Sequence, residues 1–344
     1  MAKQTITIYD VAREAGVSMA TVSRVVNGNP NVKPVTRKKV NEVIERLDYH
    51  PNAVARGLAS KRSTTIGVIL PDITQMFFAS LARGIDDIAS MYKYNIILEN
   101  SDEDVDKKVE VLENLQAKQV DGIIYMGNAV DDRLREAFKA ARTPVVFAGS
   151  VDDKNTLPSV SIDNKAAVYE AVNKLIDNKN KKIAFISGPL SEPVNGKFRL
   201  EGYRLALSEA KVDYDENLVF ETSNTYEDGV KLASEIASTT SVTAAFVAND
   251  SLAVGLLNGL QDLGVKVPED FEIISSNNTS LTKMVRPQIS SIGHPMYDTG
   301  AVAMRLLTKL MNKEEVEERN ITLPFDMVFR QSTNIKEKIH FYIR

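Results

Sequence analysis

Apolar residues recur at helical spacing from Ile8 to Leu58, in short runs broken by turn formers. Ile8, Val11, Ala12 and Ala15 share one face of a first helix, Gly16 supplies a left-handed residue to end it, and Ser18 is placed to cap a second helix. In that second helix Val22, Val25 and Val26 face the first, which turns Met19, Ala20, Ser23, Arg24 and Asn27 outward. A third helix from about Val35 to Leu47 buries Val40, Val43, Ile44 and Leu47 and completes a three-helix unit. A short helical stretch follows from Pro51 to Ala59, with proline in its first turn.

From Thr64 the period changes. Strand-like runs (Ile66 to Leu70, Asn95 to Leu98, Gly122 to Met126, Val145 to Phe147, Ile183 to Ile186, Ala244 to Val247, Glu272 to Ile274) alternate with amphipathic helices such as Phe77 to Met91, Val105 to Lys118 and Ala166 to Ile176. This alternation predicts parallel sheets with helices on both faces. About 270 residues is long for one such sheet, so two lobes with a cleft at the strand mouths are expected. The predicted fold is a small all-α helix-turn-helix head joined by a hinge helix to an α/β body of two parallel-sheet lobes.

The 344 residues exceed what one core usually organises, in keeping with several units. No apolar run reaches the roughly 20 residues of a membrane span, and Met1 to Tyr9 lack a secretion-signal pattern, so a cytoplasmic address is expected. Zero cysteines exclude disulfides, thiolate catalysis and Cys-bound metal, and His50, His294 and His340 stand far apart. No cofactor or metal is expected. The net charge of -4 is unevenly spread: through Arg62 there are eleven basic residues and five acidic ones, so the basic head is set on an acidic body. Such a head suits a polyanion.

The outward face of the second helix mixes Arg24, which can pair with guanine, with the small polar groups of Ser23 and Asn27. Lys33, Arg37, Lys38 and Lys39 follow where a phosphate backbone can run, and Thr7, Tyr9 and Ser18 offer neutral donors near helix starts. This points to a recognition helix for the DNA major groove. No phosphate loop, dinucleotide fingerprint, nucleophile elbow or His-rich metal spacing is present, and the adjacent acids Asp86-Asp87 and Asp152-Asp153 read as surface charge, so no enzyme is expected.

The run from Ile8 through Gly16-Val17-Ser18 to Asn27, the stretch Tyr49-His50-Pro51-Asn52-Ala53-Val54-Ala55 to Leu58, and the segments Thr65-Ile66-Gly67-Val68, Val247-Ala248-Asn249-Asp250 and Arg286-Pro287 together resemble the lactose/galactose repressor family. The resemblance covers nearly the whole chain. It implies a homodimer, in some members a tetramer, of DNA-binding heads on bodies like periplasmic sugar-binding proteins. The implied boundaries are 1–50 for the head, 51–62 for the hinge, 63–334 for the body and 335–344 for a tail. Lobe 1 would take about 63–161 and 292–322, and lobe 2 about 162–291 and 323–334. By position, Thr7, Tyr9, Ser18, Thr21, Asn27 and Thr36 would hold phosphates and Met19, Ala20 and Arg24 would touch base edges. In the hinge, Leu58 would wedge into the central minor-groove step with Asn52, Ala55 and Arg56 beside it, which fits the physics of an apolar wedge that kinks DNA.

In the body the resemblance places Arg199, Asn249, Asp250 and Asn277 at an effector cleft for a small sugar or purine. The family commonly has aspartate where this chain has Asn277, and an amide there loses a charge-assisted hydrogen bond to a ligand hydroxyl. A second constellation is independent of the cleft: Tyr297, Ala301, Arg305 and Lys309 fall every fourth residue, with Asp298 and Val302 alongside. Two cations one turn apart can converge on one phosphate. This helix, the head, Met91 to Leu98 and Lys118 to Ile124 are very similar to a Gram-positive branch of the family that governs carbon catabolite control. That branch takes the phosphocarrier HPr, phosphorylated on serine, as protein corepressor. The resemblance gives Arg305 and Lys309 to the phosphoserine, Tyr297, Asp298 and Val302 to its surroundings, and Asp72 and Asp102 to a basic residue of the carrier, with sugar phosphates as candidate small modulators.

Overall fold

A computed structural model describes residues 6–50, 62–102, 104–127, 130–238 and 241–334. The chain divides into two compact units, residues 1–63 and 64–344. In the first, α1 (Ile8–Ala15), α2 (Met19–Val26) and α3 (Pro34–Leu47) pack around Val11, Ala15, Val22, Val25, Val40 and Val43. Gly16 ends α1 at φ 62°, ψ 38°, a conformation that glycine adopts without strain, and Ser18 caps α2 by accepting from the Thr21 N–H at 3.2 Å. The sequence reading missed one device. Asp10 accepts from both the backbone N–H and the hydroxyl of Thr7, at 3.0 and 2.7 Å, and so ties down the start of α1.

The second unit is built on two six-stranded sheets. In lobe 1, β1 (Thr65–Leu70), β2 (Asn95–Asn100), β3 (Gly122–Tyr125), β4 (Val145–Ala148), β5 (Ser159–Ile162) and β11 (Asn320–Leu323) lie in the order β11-β5-β4-β3-β1-β2, all parallel. Lobe 2 contains β6 (Ile183–Ser187), β7 (Val219–Glu221), β8 (Ala244–Val247), β9 (Glu272–Ser276), β10 (Ser290–Gly293) and β12 (Asp326–Val328), ordered β12-β10-β9-β8-β6-β7. Only β12 runs antiparallel there. The chain crosses between lobes after β5, after β10 and after β11.

The helices of lobe 1 are α4 (Met76–Met91), α5 (Val105–Ala117), α6 (Asp132–Ala140) and, returning from lobe 2, α12 (Met296–Met311). Those of lobe 2 are α7 (Asn164–Asp177), α8 (Leu200–Glu209), α9 (Tyr226–Ser238), α10 (Asp250–Asp262) and the short α11 (Leu281–Met284). All seven strands read from the sequence are present, with ends shifted by up to two residues. The strands it missed, β5, β7, β10, β11 and β12, are short or rich in serine and threonine. Buried hydroxyls of β10 find partners: Ser290 Oγ lies 2.7 Å from Thr333 Oγ1 in the turn beyond β12, and Ser291 Oγ 2.9 Å from Ser275 Oγ of β9.

Two details depart from the sequence reading. Asp152 is not surface charge: it is 2% exposed and pairs with the buried Arg135 at 2.9 Å. Ala301 does not join the exposed face of α12. It is 4% exposed and packs into the lobe 1 core, because α4 and α12 meet there at a crossing too close for larger side chains. A Cβ on Gly84 would stand 2.1 Å from the Tyr297 carbonyl oxygen, and one on Gly300 2.0 Å from that of Leu81. No helix among the described residues is long and apolar enough to cross a membrane.

Candidate DNA interface and docking face

Burial of Val22 and Val25 against α1 and α3 fixes the rotation of α2, so Met19, Ala20, Arg24 and Asn27 are all exposed on its other side. Met19 keeps 40% of its surface open. Ser18 and Thr21 share a hydroxyl contact at 2.9 Å, and the Asn27 amide donates to Ser23 Oγ at 3.4 Å, so the polar groups at each end of α2 are held locally. Tyr9 is exposed on α1, and Thr36 is half-buried in the first turn of α3. Arg37 is committed elsewhere: its guanidinium donates to the Asn29 carbonyl and braces the turn after α2. Asn52, Ala55, Arg56 and Leu58 lie outside the described residues.

On the body, α12 presents Tyr297, Asp298, Arg305 and Lys309 to solvent, with Val302 half-buried between them. Among the described residues neither Arg305 nor Lys309 makes an ion pair. Tyr297 donates its hydroxyl to Asp87 of α4 at 3.1 Å, which holds the phenol above its ordinary pKa, and Asp87 also pairs with Arg83 at 2.8 Å. These α4 partners were not legible beforehand, since only tertiary packing brings them beside α12. Asp72 and Asp102 stand apart from the two cations. They occupy adjoining loops after β1 and β2, linked by the Asp102 N–H to the Pro71 carbonyl at 3.1 Å, whereas Leu307 and Met311 of α12 cover Gly122 at the start of β3. The acidic loops therefore follow the C-terminal ends of β1 and β2, whereas the last turns of α12 cover the N-terminal end of β3. Asp72 accepts from Thr74, and Asp102 pairs with Lys107.

The cleft between the lobes holds a cavity of about 410 Å³ lined by Phe77, Phe78, Glu192, Asn195, Arg199, Asn224, Asn249 and Asn277, among others. Arg199 is the last residue of a π-helical turn over Pro193–Arg199 and donates to Asn195 Oδ1 and the Ala248 carbonyl, each at 3.2 Å. Burial lowers its pKa to about 10 against the nearby charges of Glu192 and Asp250, so it stays a cation at neutral pH. Asn249 caps α10, its side chain accepting from Ser251 N at 2.8 Å. Asp250 does not line this cavity and accepts from Ser275 Oγ and from Thr279 N and Oγ1, at 2.6–2.7 Å. Burial raises its carboxyl to about 6 in spite of those bonds. Asn277 is buried at φ 100°. The sequence reading missed Glu192, Asn195 and Asn224; the spacing of Asn195 and Arg199, one helical turn, was the available signal.

A helix-turn-helix head with an outward polar face, carried by a two-lobed α/β body with a polar cleft, defines a DNA-binding regulator and not an enzyme. The family of bacterial regulatory proteins known as lacI matches residues 7–52, and the family of periplasmic binding proteins and LacI-family sugar-binding domains matches residues 63–330. The chain belongs to the LacI family. It is 59% identical over 319 residues to catabolite control protein A of Streptococcus mutans, covering 93% of this chain and 95% of that protein. To catabolite control protein A of Priestia megaterium it is 55% identical over 329 residues, or 95% and 99% of the two chains. Among solved structures, the transcription regulator CcpA of Lactococcus lactis superposes with a TM-score of 0.75 at 52% identity, over 78% of this chain and 99% of that one. The lac repressor dimer bound to operator and an anti-inducer superposes with a TM-score of 0.87 at 27% identity, over 96% and 99%.

Proposed function

We propose that the chain is a transcriptional regulator of carbon catabolite control that binds a pseudo-palindromic operator as a homodimer, with serine-phosphorylated HPr as its protein corepressor. The observation that carries this reading is the pair Arg305 and Lys309, one turn apart, exposed and without an acidic partner among the described residues, beside Tyr297 and Val302. Some exposed cations of the body lie next to an acid of their own surface, as Arg83 does with Asp87 and Lys118 with Glu99. Two unneutralised ones on a single face favour a dianionic partner, and the neighbouring aromatic and aliphatic groups favour a protein over a free ion. The identity to proteins named catabolite control protein A supports the same reading. Asp72 and Asp102, in the loops at the other end of the strands, would then meet a different part of the carrier than the phosphoserine.

In the head, Met19, Ala20 and Arg24 read base edges while Thr7, Tyr9, Ser18, Thr21, Asn27 and Thr36 hold phosphates. Thr7 must release its hydroxyl proton from Asp10 to donate to a phosphate. The test is operator affinity with and without serine-phosphorylated HPr at two salt concentrations. The carrier should tighten binding, and the log-log salt slope should be steep, about -0.9 per neutralised phosphate. A shallow slope, or no effect of the carrier, would sink the reading. Leu58 is expected to be the minor-groove wedge, so Leu58→Ser should weaken operator binding by about tenfold or more and reduce DNA bending with the body still folded. Circular-permutation gel shifts read the bend directly.

The cleft supports a second reading, a repressor controlled by a small sugar or purine. A 410 Å³ polar cavity containing a buried arginine suits such a ligand, and calorimetric titration of the DNA-free protein with sugars, purines and sugar phosphates separates this reading from the first.

A further inference from the structure

Arg37 is half-buried at the start of α3, whereas its neighbours Lys38 and Lys39 are exposed. Its partner is the turn that ends α2. There Gly28, left-handed at φ 69°, donates its N–H to the Val25 carbonyl at 3.0 Å, and Asn29 donates its own to the Arg24 carbonyl at 2.9 Å. These two bonds satisfy carbonyls that the last turn of a helix leaves without an intrahelical partner. Asn29 is thereby tied to the backbone of Arg24, the side chain assigned above to base edges. It is held from two further sides: its carbonyl accepts from the Arg37 guanidinium, and its side-chain oxygen accepts from the Asn31 N–H at 2.9 Å. Arg37 makes no ion pair among the described residues, whereas Arg13 and Arg46 of the same unit pair with Asp10 and Glu14. A line of bonds therefore runs from α3 through Asn29 to Arg24. A guanidinium is planar and donates in a fixed fork, so it sets the direction of a carbonyl as well as its distance. Side chains that read a ligand must be held to within about 0.5 Å, and supports of this kind hold them.

We infer that Arg37 is a positioning residue for DNA reading: through Asn29 it fixes the last turn of α2, and with it the reach of Arg24, instead of holding a phosphate. This rests on the reading of α2 as the base-reading helix. It separates Arg37 from Lys33, Lys38 and Lys39, with which its charge and its place in the sequence would group it.

The two roles leave different marks. A phosphate contact strengthens binding to every duplex alike and contributes about -0.9 to the log-log salt slope, whereas a positioning residue matters only on DNA whose bases are read. The test uses the full chain, an operator duplex selected by the parent protein from a random pool, and a scrambled duplex of the same composition. Arg37→Met keeps an apolar stem and cannot donate. It should weaken operator binding about tenfold, the size of a lost base contact, leave scrambled DNA within about twofold and preserve the salt slope. A fall on both duplexes, with a slope shallower by about 0.9 per head, would assign Arg37 to a phosphate and overturn the inference. Gly28→Ala strains the same turn from its other end without a change of charge. The double variant, Gly28→Ala with Arg37→Met, should lose little more than the worse single one; losses that multiply would show Arg37 to act apart from the turn. Hydrogen exchange on DNA-free protein gives a reading that needs no operator. Arg37→Met should raise exchange over residues 24–31 and leave α1 protected, and no rise there would overturn the inference. Failure of the parent protein to discriminate between the duplexes would instead sink the base-reading helix itself. If α1 loses protection too, the head has opened and Arg37→Lys is measured in its place. A point charge without the planar fork lowers discrimination if Arg37 positions, and preserves it if Arg37 holds a phosphate, which would overturn the inference.

Discussion

Reversing both free cations of α12, Arg305→Glu with Lys309→Glu, is expected to abolish the response to the serine-phosphorylated carrier and to leave basal operator binding within about twofold. Each cation contributes a charge-assisted hydrogen bond to the phosphate worth about 1.5–3 kcal/mol, so losing two corresponds to at least about a hundredfold in carrier affinity, before like-charge repulsion is added. The fold should tolerate the change, because both side chains are exposed and none of the ion pairs within the described residues depends on them. The check is a titration of the variant with phosphorylated carrier, paired with an operator gel shift. Retained stimulation would move the docking site off α12. A singly reversed Arg305→Glu should fall between the two extremes.

Arg135→Ala should destabilise the body by about 3–5 kcal/mol, the usual cost of leaving a buried charge without its partner. Arg135 is 3% exposed and donates to Asp152 at 2.9 Å, Asp153 at 2.7 Å, Asp132 at 2.5 Å and the Val130 carbonyl at 3.2 Å. The second oxygen of Asp152 accepts from Thr156 N and Oγ1 and from Leu157 N, at 2.6–3.1 Å, so one carboxylate organises the whole turn after β4. Burial pushes this carboxyl up, but the Thr156 hydroxyl, the Arg135 guanidinium and the N–H groups of Thr156 and Lys154 outweigh it and hold it at about 2. Its folded pKa therefore lies below the ordinary 3.8. The contribution to stability is complete above about pH 4 and is lost as pH falls towards 2, amounting to about 2 kcal/mol. Urea midpoints at neutral pH and near pH 3 test both statements. A variant as stable as the parent at neutral pH would show the network to be incidental.

The sequence disclosed most where periodicity and special residues agreed. In the head, the valines at helical spacing, Gly16 and Ser18 all pointed to one arrangement, and each side chain is where its local chemistry requires. In the body, the apolar runs of β1, β3 and β8 were legible because strands buried on both faces must be apolar throughout. β10, Ser290-Ser291-Ile292-Gly293, was not, since its burial depends on hydroxyls paired with Ser275 of the neighbouring β9 and with Thr333 beyond β12. The same holds at the sites. The spacing of Arg305 and Lys309 is a property of one helix, whereas the bond of Tyr297 to Asp87, the burial of Ala301 and the enclosure of Asp152 by Arg135 depend on elements far apart in the chain. Pattern reading treats Asp152-Asp153 as solvated charge because nothing local distinguishes a surface acid from one that an arginine 17 residues away encloses.

The return of the chain from lobe 2 to lobe 1 fixes an order of assembly. Ser159 to Ile162 of β5 take their outer neighbour from Asn320 to Leu323, and α12, which seals the same lobe, begins only at Met296. A ribosome must therefore deliver lobe 2 from β6 through β10, all of its strands but β12, before lobe 1 can close its edge. Until then the face proposed for a phosphorylated partner does not exist on the nascent chain, although the head, complete within its first fifty residues, has long since emerged.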